Sequence, residues 1–139
     1  MNAPLYTTEI LRLAASLSEP RDLEREDGKA AVRSPTCGSR MQTFVQVDPE
    51  GRVEAISQVV LACAFGQASA ALVEQGAIGR RRSEVKDAHD RFAAWLEGSS
   101  ETSNWPGIEA LAPARSRKGR HGAMLLPFRA LLAAMDSAK

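Results

Sequence analysis

Val59-Val60-Leu61-Ala62-Cys63 is an apolar run, β-branched at its start, that stops at a cysteine, and Ala64 to Leu72 restarts at once as a helix of small residues. The period changes from that of a strand to that of a helix within two positions, so the chain is of mixed α and β type with a corner at Cys63. A thiol at such a corner lies near the first N–H groups of a helix and the positive end of its dipole. That favours the thiolate, the form that ligates metal or accepts sulfur. The other reading of Cys63 is a small buried apolar residue, which is how free cysteines commonly behave.

At 139 residues the chain has the length of one domain, residues 1–139, with enough material to bury a core. Lys and Arg number 18 against 17 Asp and Glu, so no global basic field marks it for nucleic acid or an anionic membrane. The longest apolar run, Val59 to Phe65, is far short of the roughly 20 residues a membrane span needs. Met1-Asn2-Ala3-Pro4 lacks a basic region followed by an apolar one, so the expected location is the cytoplasm. Its two cysteines, with no Cys-x-x-Cys, are then expected as free thiols.

Thr8 can cap a first helix with Ile10, Leu13, Ala14 and Leu17 on one face, expected to lie on a sheet. Asp22 to Asp27 reads as a solvated charged loop. Lys29 to Arg33, Met41 to Val47 and Arg52 to Ala62 read as strands, the last two joined by the hairpin loop Asp48 to Gly51. Register runs symmetrically out from that loop and sets Arg40-Met41 against Leu61-Ala62. Cys37, in the turn Ser34 to Ser39, and Cys63 therefore leave the same end of the sheet.

A helix from Phe65 to Gln75 is expected to end at Gly76. Arg80-Arg81-Arg82 reads as a solvated face or a docking contact for an acidic partner. Ser83 is the expected cap of a helix burying Val85, Ala88, Phe92, Trp95 and Leu96, with His89 a partly exposed surface histidine. Trp105 is expected as an anchor at a short turn of helix through Leu111. Arg115, Arg117, Lys118 and Arg120 form a local basic cluster. His121-Gly122 opens the last helix, in which Pro127 fits only within the first turn. No phosphate loop, dinucleotide fingerprint, His-Glu-x-x-His or Ser-His-Asp pattern is present.

Taken in order, these motifs resemble the iron-sulfur cluster assembly scaffold family, the IscU/SufU/NifU N-terminal type. Tyr6 with Pro20-Arg21 is similar to the family's N-terminal helix and its Asn-Pro-Arg end. Thr36-Cys37-Gly38 is similar to its first ligand motif and Cys63 with Ala68-Ser69 to its second, Cys-x4-Ala-Ser. Arg120-His121-Gly122-Ala123-Met124-Leu125 is similar to its third, His-Cys-Ser-Met-Leu or Lys-Cys-Ala-x-Leu. Two departures stand out: the third cysteine corresponds to Gly122, and the Asp that usually follows Cys-Gly is Ser39.

The resemblance implies an α+β fold, a three-stranded antiparallel sheet with helices packed on one face, and a scaffold rather than an enzyme. It implies Cys37, Cys63 and His121 as the site, with Ser39 as a further oxygen donor, holding a transient iron-sulfur cluster or Zn2+. Three such donors suit one Zn2+ with an open position, and a [2Fe-2S] unit needs one more, from a carboxylate, a small molecule or a second chain of a homo-oligomer. The implied partners are a cysteine desulfurase and recipient iron-sulfur apoproteins. The other reading is a cluster-inactive member acting as a metal-binding or desulfurase-docking module, and a third is a sulfur acceptor carrying persulfide on Cys63. Gly122 is either the site of the missing ligand or a glycine kept for a positive φ at the helix start.

Overall fold

The computed structural model describes residues 6–35, 38–101 and 103–138. Helix α1 (Thr8–Ser16) leads through an extended segment to strands β1 (Gly28–Arg33), β2 (Arg40–Val47) and β3 (Val53–Leu61), then to α2 (Ala64–Gly76), α3 (Arg82–Leu96), 3-10 segments Ile108–Ala114 and Lys118–Arg120, and α4 (His121–Ser137). The strands form an antiparallel meander in the order β1-β2-β3. Arg40 pairs with Leu61 and Met41 with Val60, one residue from the expected pairing of Arg40 with Ala62 and Met41 with Leu61, and an irregularity at Gln46/Val47 shifts the register within the hairpin.

Alternation sends Met41, Thr43 and Val45 to the inner face, where α4 lies along the sheet. Met41 packs with Leu126 and Ala130, whereas at the far end Ala134 meets β1, where a Cβ on Gly28 would stand 2.0 Å from the Ala134 carbonyl oxygen. Helix α4 therefore points its N-terminus toward the end of the sheet where Arg33, Arg40 and Leu61 line up. Beside it α2 crosses closely on small residues: a Cβ on Gly66 would lie 3.3 Å from Ala123 O, and Ser69 Oγ donates to Met124 O at 2.5 Å.

Several local expectations are corrected. Thr7, not Thr8, caps α1, its Oγ1 accepting from Ile10 N–H at 3.1 Å, and α1 packs on α2 rather than on the sheet. The charged loop Asp22 to Asp27 is largely exposed, as expected, but its end is pinned to β2: Asp27 accepts from Val47 N–H at 2.8 Å, and the hydrogen-bonded Arg25 guanidinium, with that N–H, holds the Asp27 carboxyl below its ordinary range. Helix α3 begins at Arg82 rather than after a Ser83 cap, with Arg81 N–H donating to Glu84 at 3.1 Å. In the triple arginine Arg81 and Arg82 are exposed, as a solvated face requires, but two of the three also brace the fold: Arg80 donates to Gly76 O and lies 4.8 Å over the Trp105 ring, and Arg82 bridges α3 to α4 through Asp136.

Gly76 is the last residue of α2, and its lack of a side chain makes room for Trp105, whose ring a Cβ would approach to 2.7 Å. Pro127 stands beyond the first turn of α4, where it removes the hydrogen bond to Ala123 O. Helix α4 runs on regardless, because it is buried between the sheet, α2 and α3 and its packing outweighs one lost bond. Among the described residues no helix is long and apolar enough to cross a membrane.

Candidate metal and thiol site

Cys63 is the N-cap residue of α2, at the corner where β3 ends. Its carbonyl accepts from Gln67 N–H at 2.9 Å, and the Gln67 side chain returns to Ala62 O at 3.0 Å, so the corner is tied from both sides. The thiol makes no capping hydrogen bond, is half-buried, and packs at the edge of the core near Phe65, on which Tyr6 rests at a ring separation of 4.9 Å. Both expected readings of Cys63 meet here, since the side chain borders the core without being sealed in it.

Across the sheet end, Ser34 N–H donates to Ser39 O at 2.7 Å and closes the β1–β2 connection beside Arg40 and Leu61. Ser39 is buried. Cys37 and Thr36, between them, lie outside the described residues. A depression of about 450 Å3 opens among Arg33, Ser34, Pro35, Gly38, Arg40 and Leu61.

His121 opens α4 at the same end and is buried. Its Nε2 lies 2.9 Å from the Arg115 carbonyl, which can only accept, so Nε2 carries the proton and a neutral ring presents its lone pair at Nδ1. A backbone carbonyl that fixes a histidine in this way is a common outer partner of metal-bound imidazole. Arg115 is itself fixed, donating to Trp95 O at 2.8 Å and Ser99 O at 2.9 Å with its guanidinium over the Trp95 ring. The local basic cluster thus contains one buttress.

The group facing Nδ1 is Glu97, its Oε1 at 3.6 Å. Glu97 follows α3 as its C-cap. No local motif marks it, but one signal was available: an acid at a helix C-terminus sits at the negative end of the dipole, against the usual preference. Among the described residues, no three His, Cys, Asp or Glu side chains gather as a metal-binding group. The fold therefore brings Cys63, Ser39 and His121 to one end of the sheet without joining them into a closed set.

His89 faces elsewhere. Its Nδ1 is 3.0 Å from Asp90 and its Nε2 accepts from Arg129 at 3.1 Å, which makes it a partly exposed bridge from α3 to α4. The electrostatics of the site end are positive: among the described residues Arg33, Arg40, Arg117, Lys118 and Arg120 form no ion pair. Leu61, 54% exposed, stands among the first of these.

Gly122 lies inside α4 and is not among the glycines of positive φ, so the expectation that it serves a left-handed start is wrong. A side chain there meets no conformational penalty. Gly122→Cys is expected to raise stability by up to about 1 kcal/mol through a less flexible unfolded chain. It should also tighten metal binding, because a thiolate is added beside His121. Metal titration with a thermal melt checks both; higher stability with unchanged affinity would show that position 122 does not face the site.

No protein-family model and no curated protein sequence matches the chain. Solved structures do. The N-terminal part of a nitrogen-fixing NifU-like protein from Brucella abortus is 28% identical, with a TM-score of 0.86 over 96% of this chain and 94% of that one. A protein of Fervidobacterium islandicum described as an iron-sulfur cluster assembly scaffold for the SUF system is 17% identical, with a TM-score of 0.80 over 94% and 96% of the two chains. The three-stranded antiparallel sheet packed against helices is thus, over nearly the whole chain, the fold of the NifU-like N-terminal and SufU scaffold proteins.

Proposed function

We propose that this chain is a single-domain iron-sulfur cluster assembly scaffold or carrier, not an enzyme, working in the cytoplasm. The observation that carries the reading is the coincidence of that fold with the placement of Cys63 and His121 at two helix starts on one end of the sheet. Cys37, Cys63 and His121 are the donors, with Ser39 nearby, for iron and cluster or for Zn2+. The positive rim of Arg33, Arg40, Arg117, Lys118 and Arg120 draws anionic sulfur species and acidic partner surfaces toward the thiols. Its partners in this reading are a cysteine desulfurase and recipient apoproteins.

The two thiols have different tasks. Cys63 is tied into the α2 corner and packed at the core edge, which suits a fixed donor. Cys37, in a Ser-Pro-Thr-Cys-Gly turn, is the sulfur acceptor. Metal-free chain treated with a cysteine desulfurase and cysteine is expected to carry persulfide first on Cys37, read by mass spectrometry of the trapped peptides. Persulfide first on Cys63 would reverse the assignment, and sulfur on neither thiol would contradict the scaffold reading.

One observation favours a second reading, a metal-binding or desulfurase-docking module that builds no cluster. Gly122 offers no donor where the resemblance places the third cysteine. Retention of Zn2+ without sulfide uptake would select it.

A further inference from the structure

We infer that the open half of the outer sheet face docks an extended segment of a partner protein in which carboxylates alternate with apolar residues. Helix α4 packs on the inner face with Met41, so alternation leaves Ala31, Arg33, Arg40, Gln42, Val59 and Leu61 on the outer one. Register sets them in two rows across the strands. One row is Arg33, Arg40 and Leu61, the other is Ala31, Gln42 and Val59, and all six line a depression of about 550 Å3.

Charge selects the occupant. Arg33 and Arg40 stand directly opposite one another on neighbouring strands, both exposed, and among the described residues neither has an acidic partner. Like charges so placed cost stability, and a carboxylate between them offsets that cost. Leu61 ends the same row with its side chain exposed, and half-buried Val59 lies two residues before it, so an apolar side chain of the same segment has a seat beside the charges.

The molecule itself shows how such a segment lies on this face. The other half of the outer face carries the extended chain before β1: Arg21 N–H donates to Ser57 Oγ at 2.9 Å and Arg25 N–H to Gln46 Oε1 at 3.2 Å. Between those two bonds Leu23 is half-buried, and Asp22 and Glu24 on either side of it are exposed. Gln42 stands on the same face of β2, four residues before Gln46, and its exposed amide can accept a partner's backbone N–H in the same way. This surface gives a place and an occupant to the attraction of acidic partners proposed above. It needs no bound metal.

NMR titration of the full, reduced, metal-free chain with the synthetic peptide acetyl-Glu-Leu-Glu-Leu-Glu-amide, which repeats the alternation of Asp22-Leu23-Glu24, tests this. Amide shifts are expected at Ala31, Arg33, Arg40, Gln42, Val59 and Leu61, fading as salt is raised. Arg33→Glu is expected to weaken peptide binding by about tenfold or more. Its thermal melt should hold or rise, because Arg40 gains an opposite charge across the strands. Leu61→Ser should also weaken binding, whereas Arg12→Glu, the same charge reversal on α1, should bind like the parent. Shifts confined to other surfaces, no shift at millimolar peptide, or equal losses for Arg12→Glu and Arg33→Glu would overturn the assignment. Self-association of the parent that Arg33→Glu abolishes would give the face to a second copy and overturn it as well. Peptide binding here without cluster assembly leaves the surface standing and removes the scaffold reading; cluster assembly without peptide binding does the reverse.

Discussion

Trp105→Ala is expected to lower the free energy of unfolding by about 3–5 kcal/mol, the largest loss of any single truncation considered. Trp105 is 1% exposed and joins three elements. Its ring stacks edge-on against Phe128 of α4 at 5.2 Å, its Nε1 donates to Leu72 O of α2 at 2.8 Å, and the Arg80 guanidinium covers its other side. Removing the ring opens a cavity where α2 ends, strips a hydrogen bond from Leu72 O, and leaves Arg80 without its platform. Trp105→Phe keeps an aromatic ring but not the N–H, so it should cost less, about 1–3 kcal/mol. Denaturant unfolding of both variants separates the packing from the hydrogen bond. A loss for Trp105→Ala near the 0.5 kcal/mol of an ordinary surface change would mean that the Trp105 segment does not anchor the helices.

Cys63→Ser is expected to abolish tight binding of metal and to cost about 1 kcal/mol of stability, because a hydroxyl replaces a soft sulfur at the core edge. Cys37→Ser should lose sulfur acceptance while changing stability by no more than about 0.5 kcal/mol. The pair of variants, measured by metal titration and thermal melt, tests whether the thiols divide the work. Equal stability losses with metal binding intact in both would leave the cysteines as simple packing residues.

The strand-to-helix corner, the meander and the burial of Val85, Ala88, Phe92, Trp95 and Leu96 were legible because local period and turn chemistry determine them. The hairpin loop placed β2 on β3 to within one residue, whereas the irregularity at Gln46/Val47 is one that no loop residue announces. Arginine roles were not legible. Arg80, Arg82 and Arg115 each look like surface charge in the chain, yet each reaches a carbonyl or carboxylate brought near only by tertiary packing. Pro127 lies deeper in α4 than the local rule allows for the same reason, since packing around α4 overrides that rule.

The site itself divides along this line. His121 at the start of a helix could be read from its neighbours, whereas the choice of Nδ1 as its open nitrogen depends on Arg115, and Glu97 reaches it from another helix. Only the folded chain joins these groups.

The scaffold account is tested most directly by anaerobic reconstitution with Fe2+, cysteine, a cysteine desulfurase and a thiol reductant that supplies the electrons for reducing persulfide sulfur to sulfide, followed by removal of unbound material and assay of iron and acid-labile sulfide per chain. The account predicts that the parent chain keeps iron and sulfide in equal amounts and that Cys37→Ser and Cys63→Ser each lose both. A parent chain that retains no sulfide, or variants that retain as much as the parent, would contradict it.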